Sequence, residues 1–217
     1  MNNEFIKRIL SSLVLIPLAF FVIIKGSIIF NLFLIVCFFV ILFEWHKVSK
    51  KNNFYYFGII FLIFSFFTIY SLYNINGSYI NFVFILLICV STDIGGYIFG
   101  KLFKGPKLTN ISPKKTYSGA VGGFIFTITS IYFFFQILPF FPKDTKILFS
   151  TYVLAILISS VSQIGDIIIS YFKRQNNIKD ISNIIPGHGG LLDRVDGMIF
   201  AFPFSYLIFK TNLINFF

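Results

Sequence analysis

The chain has 217 residues, of which 57% are hydrophobic and only 12% are charged, and these proportions exclude an ordinary soluble domain. The formal net charge of +10 would suggest a nucleic-acid partner in a soluble protein, but here the cations lie between apolar segments. Cations in such places orient a membrane protein and meet anionic headgroups. We therefore predict an integral membrane protein that contacts membrane lipids and has no nucleic-acid partner.

Seven apolar segments approach the roughly 20 residues that a helix needs to cross a bilayer. The sequence predicts an all-α fold, a polytopic transmembrane bundle of about seven spans that forms one integral membrane domain over residues 1–217. Residues 1–78 carry only hydrophobicity and have no assigned role, whereas residues 79–217 carry the catalytic spans and loops. The predicted spans are 9–24, 28–43, 54–73, 79–99, 119–140, 147–172 and 191–209.

Positive charge is distributed unevenly between the two ends of these spans. Of the 18 lysines and arginines, all but Lys25, Lys143, Lys146 and Lys210 fall on one side. Because positively charged loops stay in the cytoplasm, we predict that this side faces the cytoplasm of a bacterial inner membrane. Every motif described below lies on that side.

Three aspartates, Asp93, Asp166 and Asp196, lie within or at the ends of apolar spans. A charge at mid-bilayer costs roughly 2.5–3.5 kcal/mol even on a lenient scale, so these side chains must face a polar interior. The sixth span carries polar residues at steps of three and four, which place them on one helix face. That face comprises Ser159, Gln163, Asp166, Ser170 and Arg174. Ser159 is better interpreted as an interhelical hydrogen-bond partner than as a site residue.

Glycines at the end of the fourth span allow two interpretations. Gly95, Gly100 and Lys101 fit the spacing of a phosphate-binding loop. Leu102 stands where that loop needs serine or threonine, and a span precedes it where a strand should be, so we reject this interpretation. Gly95 and Gly96 instead predict that another helix approaches closely.

The loop after the fourth span contains the motif Ser112-Pro113-Lys114-Lys115-Thr116. It has the composition of a helix start, with the serine as N-cap and the proline at the first helical position. Two lysines beside the free N–H groups of a helix N-terminus would bind an incoming phosphate.

The most polar part of the chain is the segment 170–196. Asp193 and Asp196 are three residues apart, so on a helix their carboxylates share one side and suit magnesium, although the helix dipole could also account for one acid there. The run Pro186-Gly187-His188-Gly189-Gly190 permits a tight loop whose N–H groups could approach an anion, which alone is a weak signal. The nearby pairs Lys173-Arg174 and Lys179-Asp180 could be ordinary cytoplasmic anchors.

Segment 170–196 resembles the signature of the phosphatidate cytidylyltransferases, also called CDP-diacylglycerol synthases. The matching residues are Ser170, Lys173, Arg174, Lys179, Asp180, Ser182, Ile185, Pro186, His188, Gly189, Gly190, Asp193, Arg194 and Asp196. Three other blocks are similar: Gln163 with Gly165 and Asp166, the 112–116 motif with Gly119, and Asp93 with Tyr97. The family usually has an acidic residue where this chain has Ser118.

The resemblance implies that a cytidylyl group passes from CTP to phosphatidic acid, giving CDP-diacylglycerol and pyrophosphate in phospholipid biosynthesis. It also implies Mg²⁺ as cofactor, with a second cation left open, and a homodimer. We expect Asp166, Asp193 and Asp196 to hold the metal. The other residues expected in catalysis are Lys173, Arg174 and Lys179. The residues expected to bind substrates are Ser112, Lys114, Lys115, Thr116, Ser170, Asp180, His188, Gly189, Gly190, Arg194 and Asp93.

Two alternatives fit part of the pattern. A CTP-using lipid kinase of the polyprenol type would transfer the γ-phosphate and release CDP. A cation-coupled transporter would also bury aspartates among helices, but it predicts inverted repeats with broken helices at mid-membrane, whereas the motifs here lie at one face.

Overall fold

The computed structural model describes residues 3–50, 52–75, 79–137, 149–178, 180–185, 187 and 189–211. Within these ranges the chain forms helices joined by loops and has no β-strand, which confirms the all-α prediction. The helices are α1 (Asn3–Lys25), α2 (Ser27–Ser49), α3 (Tyr55–Asn74), α4 (Ile80–Phe103), α5 (Tyr117–Ile137), α6 (Phe149–Gln175), α7 (Leu192–Val195) and α8 (Met198–Thr211).

Five of these helices, α2 to α6, are long and apolar enough to cross a bilayer. The apolar parts of α1 and α8 are shorter, at Leu13–Lys25 and Met198–Thr211. Each predicted apolar segment therefore overlaps a helix, and five of the seven reach the length of a span. The protein is an integral membrane protein.

The last predicted span, 191–209, is wrong as a continuous helix, because the chain breaks into α7 and α8 at Asp196 and Gly197. The Gly197 N–H donates to the Asp196 carboxylate at 2.9 Å. Gly197 also packs directly against α6, where an added Cβ would lie 2.8 Å from the Ser162 carbonyl oxygen. This approach to another helix leaves no trace in the hydrophobic pattern of the segment itself.

Helices α4 and α5 form the most extensive helix pair in the described part of the chain. An added Cβ on Gly95 would lie 2.5 Å from the Gly122 carbonyl oxygen, so the two backbones are in contact there. The predicted close approach of another helix is confirmed for both glycines: a Cβ added to Gly119 would lie 2.8 Å from the Gly96 carbonyl oxygen, although a Cβ on Gly96 itself would meet its nearest atom at 3.7 Å. The chain between α4 and α5 folds back toward the middle of α4, so that Asp93 and the 112–116 motif line one cavity.

A cluster of buried apolar side chains lies between α2, α3, α6 and α8 and supports the short helix α7. Leu192 of α7 is fully buried in it, together with Ile41 and Trp45 of α2 and Ile169 of α6. This packing holds α7 against both the N-terminal helices and α6. It thereby fixes the position of the acidic residues that follow.

Candidate active site

A cavity of about 450 Å³ lies between α4, α5, α6 and the segment 180–196. Most residues predicted to form the site line this cavity, although they come from four separate parts of the chain. They are Asp93, Ser112, Lys114, Lys115, Thr116, Asp166, Lys173, Asp180, Asp193, Arg194 and Asp196.

Several predicted residues do not line the cavity. Ser170 is buried beneath it and donates its hydroxyl to the Asp166 carboxylate at 3.4 Å. Gly189 and Gly190 lie behind Asp193 rather than in the lining. The predicted residues Lys179 and His188 lie outside the described residues, as does Pro186 of their loop.

Arg174 is exposed and does not line the cavity. Its neighbour Lys173 does line the cavity. Seven residues make almost two helical turns, so Lys173 stands nearly over Asp166 on α6. Arg174 is rotated from that line by about 80°, at about 100° per residue. The spacing predicted that the polar face of α6 ends at Arg174. The structure shows instead that this face ends at Lys173.

Two lysine–aspartate ion pairs cross the cavity lining. Lys115 pairs with Asp166, which joins the loop before α5 to α6. In the second pair, Lys173 Nζ lies 2.8 Å from Asp193 Oδ1. This pair joins α6 to α7 and is more deeply buried than the first. Each pair thus connects two separate segments and places a cation beside an acid in the cavity.

Asp193 also organises its own loop. Its Oδ2 atom accepts hydrogen bonds from the Ile181 N–H at 2.9 Å and the Gly190 N–H at 3.2 Å. Together with the Lys173 ion pair, these bonds give both carboxylate oxygens a protein partner. A metal role for Asp193 stays a prediction, and it would require exchange of the lysine.

Asp196 lies between α7 and α8 and is 9% exposed. Burial, and next the neighbouring Asp166 carboxylate, raise the pKa of Asp196 well above its usual range, while the Lys173 charge lowers it. Among the described residues no three Asp, Glu, His or Cys side chains are grouped as around a single metal ion. Asp166 and Asp196 nevertheless form an interacting pair of hard oxygen donors, which suits a divalent cation that offsets their repulsion.

The serine-proline-lysine-lysine-threonine motif forms a turn, so its prediction as a helix start is wrong. The Lys115 N–H donates to the Ser112 carbonyl oxygen at 3.0 Å, which closes a β-turn with Pro113 at its second position. Helix α5 begins after Thr116, whose hydroxyl accepts the Gly119 N–H at 3.1 Å as an N-cap. Proline favours both structures, so the motif alone could not distinguish them.

Ser118 occupies the position where an acidic residue was expected from the family pattern. Its hydroxyl donates to the Lys104 carbonyl oxygen at 3.0 Å and is hydrogen-bonded to the Thr116 hydroxyl at 3.0 Å. Ser118 therefore ties the start of α5 to the end of α4 without adding charge.

Sequence reasoning missed part of the lining and one buried acid. The lining residues that it did not assign to the site are Thr92, Gly96, Leu108 and Ala120, and also Tyr97, Gly119 and Gln163, which it named only as parts of motifs. The spacing of four between Thr92 and Gly96, and between Asp93 and Tyr97, would have placed them together on one face of α4. Glu44 of α2 is fully buried, and the rule that selected the other membrane acids would have selected it too.

A cavity that pairs lysines with aspartates among apolar helices is typical of a membrane protein with a functional site between its helices. The chain belongs to a known family of this class: the model described as the Cytidylyltransferase family matches residues 54–212. That match includes every lining residue of the cavity.

Individual proteins are similar over most or part of the chain. A Rickettsia bellii protein named phosphatidate cytidylyltransferase is 35% identical over 210 residues, which cover 93% of this chain and 89% of that protein. A Rickettsia felis protein of the same name is 34% identical over 212 residues, covering 93% and 90%. A Brucella melitensis protein of that name is 43% identical over 126 residues, or 58% of this chain and 45% of its own length. The chain thus spans less than half of the Brucella relative and about nine-tenths of the Rickettsia relatives.

Proposed function

We propose that this chain is a phosphatidate cytidylyltransferase, which joins CTP to phosphatidic acid and releases CDP-diacylglycerol and pyrophosphate. The observation that carries the proposal is the polar cavity with two lysine–aspartate pairs among apolar helices. Both reactants are anions, and one of them is a lipid. A membrane cavity lined by four cationic side chains, beside five aspartates that could hold a divalent cation, is suited to bring such a pair together.

In the proposed reaction a phosphate oxygen of phosphatidate bonds to the α-phosphorus of CTP. The bond from that phosphorus to the oxygen bridging to the β-phosphorus breaks, and pyrophosphate leaves with the electron pair. Because the lipid phosphate is itself the nucleophile, the chain needs no covalent intermediate. The task of its side chains is to neutralise charge and to align the reactants in line.

The two ion pairs support different roles for the lysines, each of which would bind a different phosphate group. Lys115, with Lys114 beside it, would bind the triphosphate of CTP from the loop before α5. Lys173 would bind the phosphate of phosphatidate or the leaving pyrophosphate from the opposite side. Each ammonium can exchange its aspartate partner for a phosphate oxygen, since both are anionic oxygen acceptors.

Magnesium dependence is part of the proposal. Asp166 and Asp196 would hold the ion, with Asp193 as the third predicted ligand. When bound, magnesium would shield the charge that develops on the leaving pyrophosphate. The proximity of the Asp166 and Asp196 carboxylates, which interact directly in the cavity, supports this assignment.

We further propose that α1 and α8 also cross the membrane, which would give the seven spans that the hydropathy pattern predicts. The distribution of lysine and arginine favours a bacterial inner membrane with the cavity at the cytoplasmic face, where CTP is available. Phosphatidate would then enter sideways from the lipid. A homodimer is proposed from the family resemblance.

The test is incubation of the purified full chain with CTP labelled at the α-phosphorus, phosphatidate and Mg²⁺. We expect label in CDP-diacylglycerol, release of pyrophosphate, and loss of both products when EDTA is added. Release of CDP with unlabelled lipid would instead indicate a lipid kinase. Absence of any labelled lipid or pyrophosphate, with protein that remains folded, would overturn the proposed function.

A further inference from the structure

Glu44 is an acid of α2, a helix that contributes no residue to the lining of the cavity. Its side chain is 0% exposed. A buried carboxylate is costly unless its oxygens accept hydrogen bonds from nearby donors. Its donors therefore identify what the side chain does.

Both oxygens of Glu44 accept hydrogen bonds from the segment that leads into α7. Oε1 accepts the Leu191 N–H at 3.1 Å and also the Ser182 hydroxyl. Oε2 accepts the Leu192 N–H at 2.6 Å. The first N–H groups of a helix have no partner within that helix, and a leucine at the N-cap cannot supply one. Glu44 supplies this cap from another helix.

Gly190 lies between Glu44 and Asp193. A Cβ added there would lie 2.9 Å from Glu44 Oε1 and 3.1 Å from Asp193 Oδ2, so no larger residue fits without displacing one carboxylate. The Gly190 N–H donates to Asp193, and the next two N–H groups donate to Glu44. Three consecutive backbone amides are thus held by two carboxylates, one inside the cavity and one behind it.

We propose that Glu44 is a positioning residue for cytidylyl transfer: by holding the amides of Leu191 and Leu192, it sets where Asp193 and Asp196 stand in the cavity. This inference rests on the proposed function. Helix α7 has only four residues, too few to be stable by itself, so its position depends on its contacts with the rest of the chain: the apolar packing of Leu192 and the bonds from Glu44. Displacement of reacting groups by about 1 Å can lower a rate about 100-fold, so an anchor that touches no substrate can still control turnover.

A glutamine is the sharpest test because it keeps the shape of Glu44 and replaces one acceptor oxygen with an NH₂ donor. In E44Q one backbone N–H of the segment would face another donor and lose its bond. The matched control is S65A. Ser65 is equally buried, and its hydroxyl donates to the Ile199 carbonyl oxygen at 2.9 Å, linking α3 to α8 without touching the segment 182–193.

Two measurements on the full chain in detergent separate positioning from general packing. Steady-state kinetics should show that E44Q lowers kcat about 10- to 100-fold, with KM for CTP and phosphatidate changed less than about threefold. Hydrogen–deuterium exchange without substrate should show faster exchange at the amides of residues 190–192. S65A should change neither kcat nor this exchange.

Trp45, the one tryptophan of the chain, adjoins Glu44 and stacks edge-on against Phe172 with 5.1 Å between ring centroids, so its emission reports whether α2 remains packed. If E44Q does not fold, E44D replaces it in the same two measurements. Its shorter side chain should also give faster hydrogen–deuterium exchange at the amides of residues 190–192. Wild-type kcat in a folded Glu44 variant overturns the inference, as does an equal loss in S65A or failure of both Glu44 variants to fold. A wild-type chain without product would refute the proposed function, while the exchange measurement would still judge Glu44 as the anchor.

Discussion

The two sides of the cavity are held in place by different forces. On one side, α4 and α5 touch through their backbones, with Gly95 against the carbonyl oxygen of Gly122. On the other side, the described residues of 180–196 include one short helix, α7, and the carboxylates of Asp193 and Glu44 hold the amides of residues 190–192. Close backbone contact therefore positions the first side, whereas the second side depends on apolar packing together with charged hydrogen-bond acceptors.

This difference separates stability from activity within one site. An added methyl group on the α4–α5 side should loosen the fold, since close-packed backbones cannot yield. A change of charge on the 180–196 side should leave the fold in place and disturb the acids that face the substrates. Substitutions of Asp193 and Gly95 test this separation, with Gly96 and Ser159 as points of comparison.

Asp193→Asn should have the largest effect, a fall in kcat of at least about 100-fold with the protein still folded and inserted. Asparagine keeps the shape, but it removes the charge that pairs with Lys173 and one of the predicted metal ligands. The rate of pyrophosphate release measures the effect, and Trp45 emission with size-exclusion chromatography checks the fold. Turnover at the wild-type rate would remove Asp193 from the site.

Gly95→Ala should destabilise the protein by about 1–3 kcal/mol, because the new methyl group meets the Gly122 carbonyl oxygen. The neighbouring Gly96→Ala is the control, since its methyl group has ordinary room, and it should stay within about 0.5 kcal/mol of wild type. Reversible unfolding in mixed detergent measures both. Equal stability of the two variants would contradict the steric account of this side.

Ser159→Ala should have the smallest effect, about 0.6 kcal/mol of stability and no change in kcat. The Ser159 hydroxyl is fully buried and hydrogen-bonded to Thr92 at 2.8 Å, which confirms its interpretation as an interhelical bond. The same unfolding and pyrophosphate assays apply. A marked loss of turnover would show that the Thr92 hydroxyl depends on this bond to serve the cavity.

The sequence by itself determined the membrane class, the helical fold and the meeting of most site residues. Acids within apolar spans are too costly to face lipid, so they must converge on a shared polar interior. Asp93, Asp166 and Asp196 could be selected on this ground alone. The sequence also predicted that another helix contacts Gly95, because only a small residue lets two helix backbones come so close.

Tertiary structure alone decided which group each acid meets. Glu44 and Leu192 are 148 positions apart, and local spacing carries no information on a bond between them. The same holds for the break at Gly197, which arises from packing against Ser162, and for the turn at Pro113, which the loop geometry selects over a helix start. Periodicity reports which face of a helix is polar, whereas the partner across the cavity depends on how the helices pack.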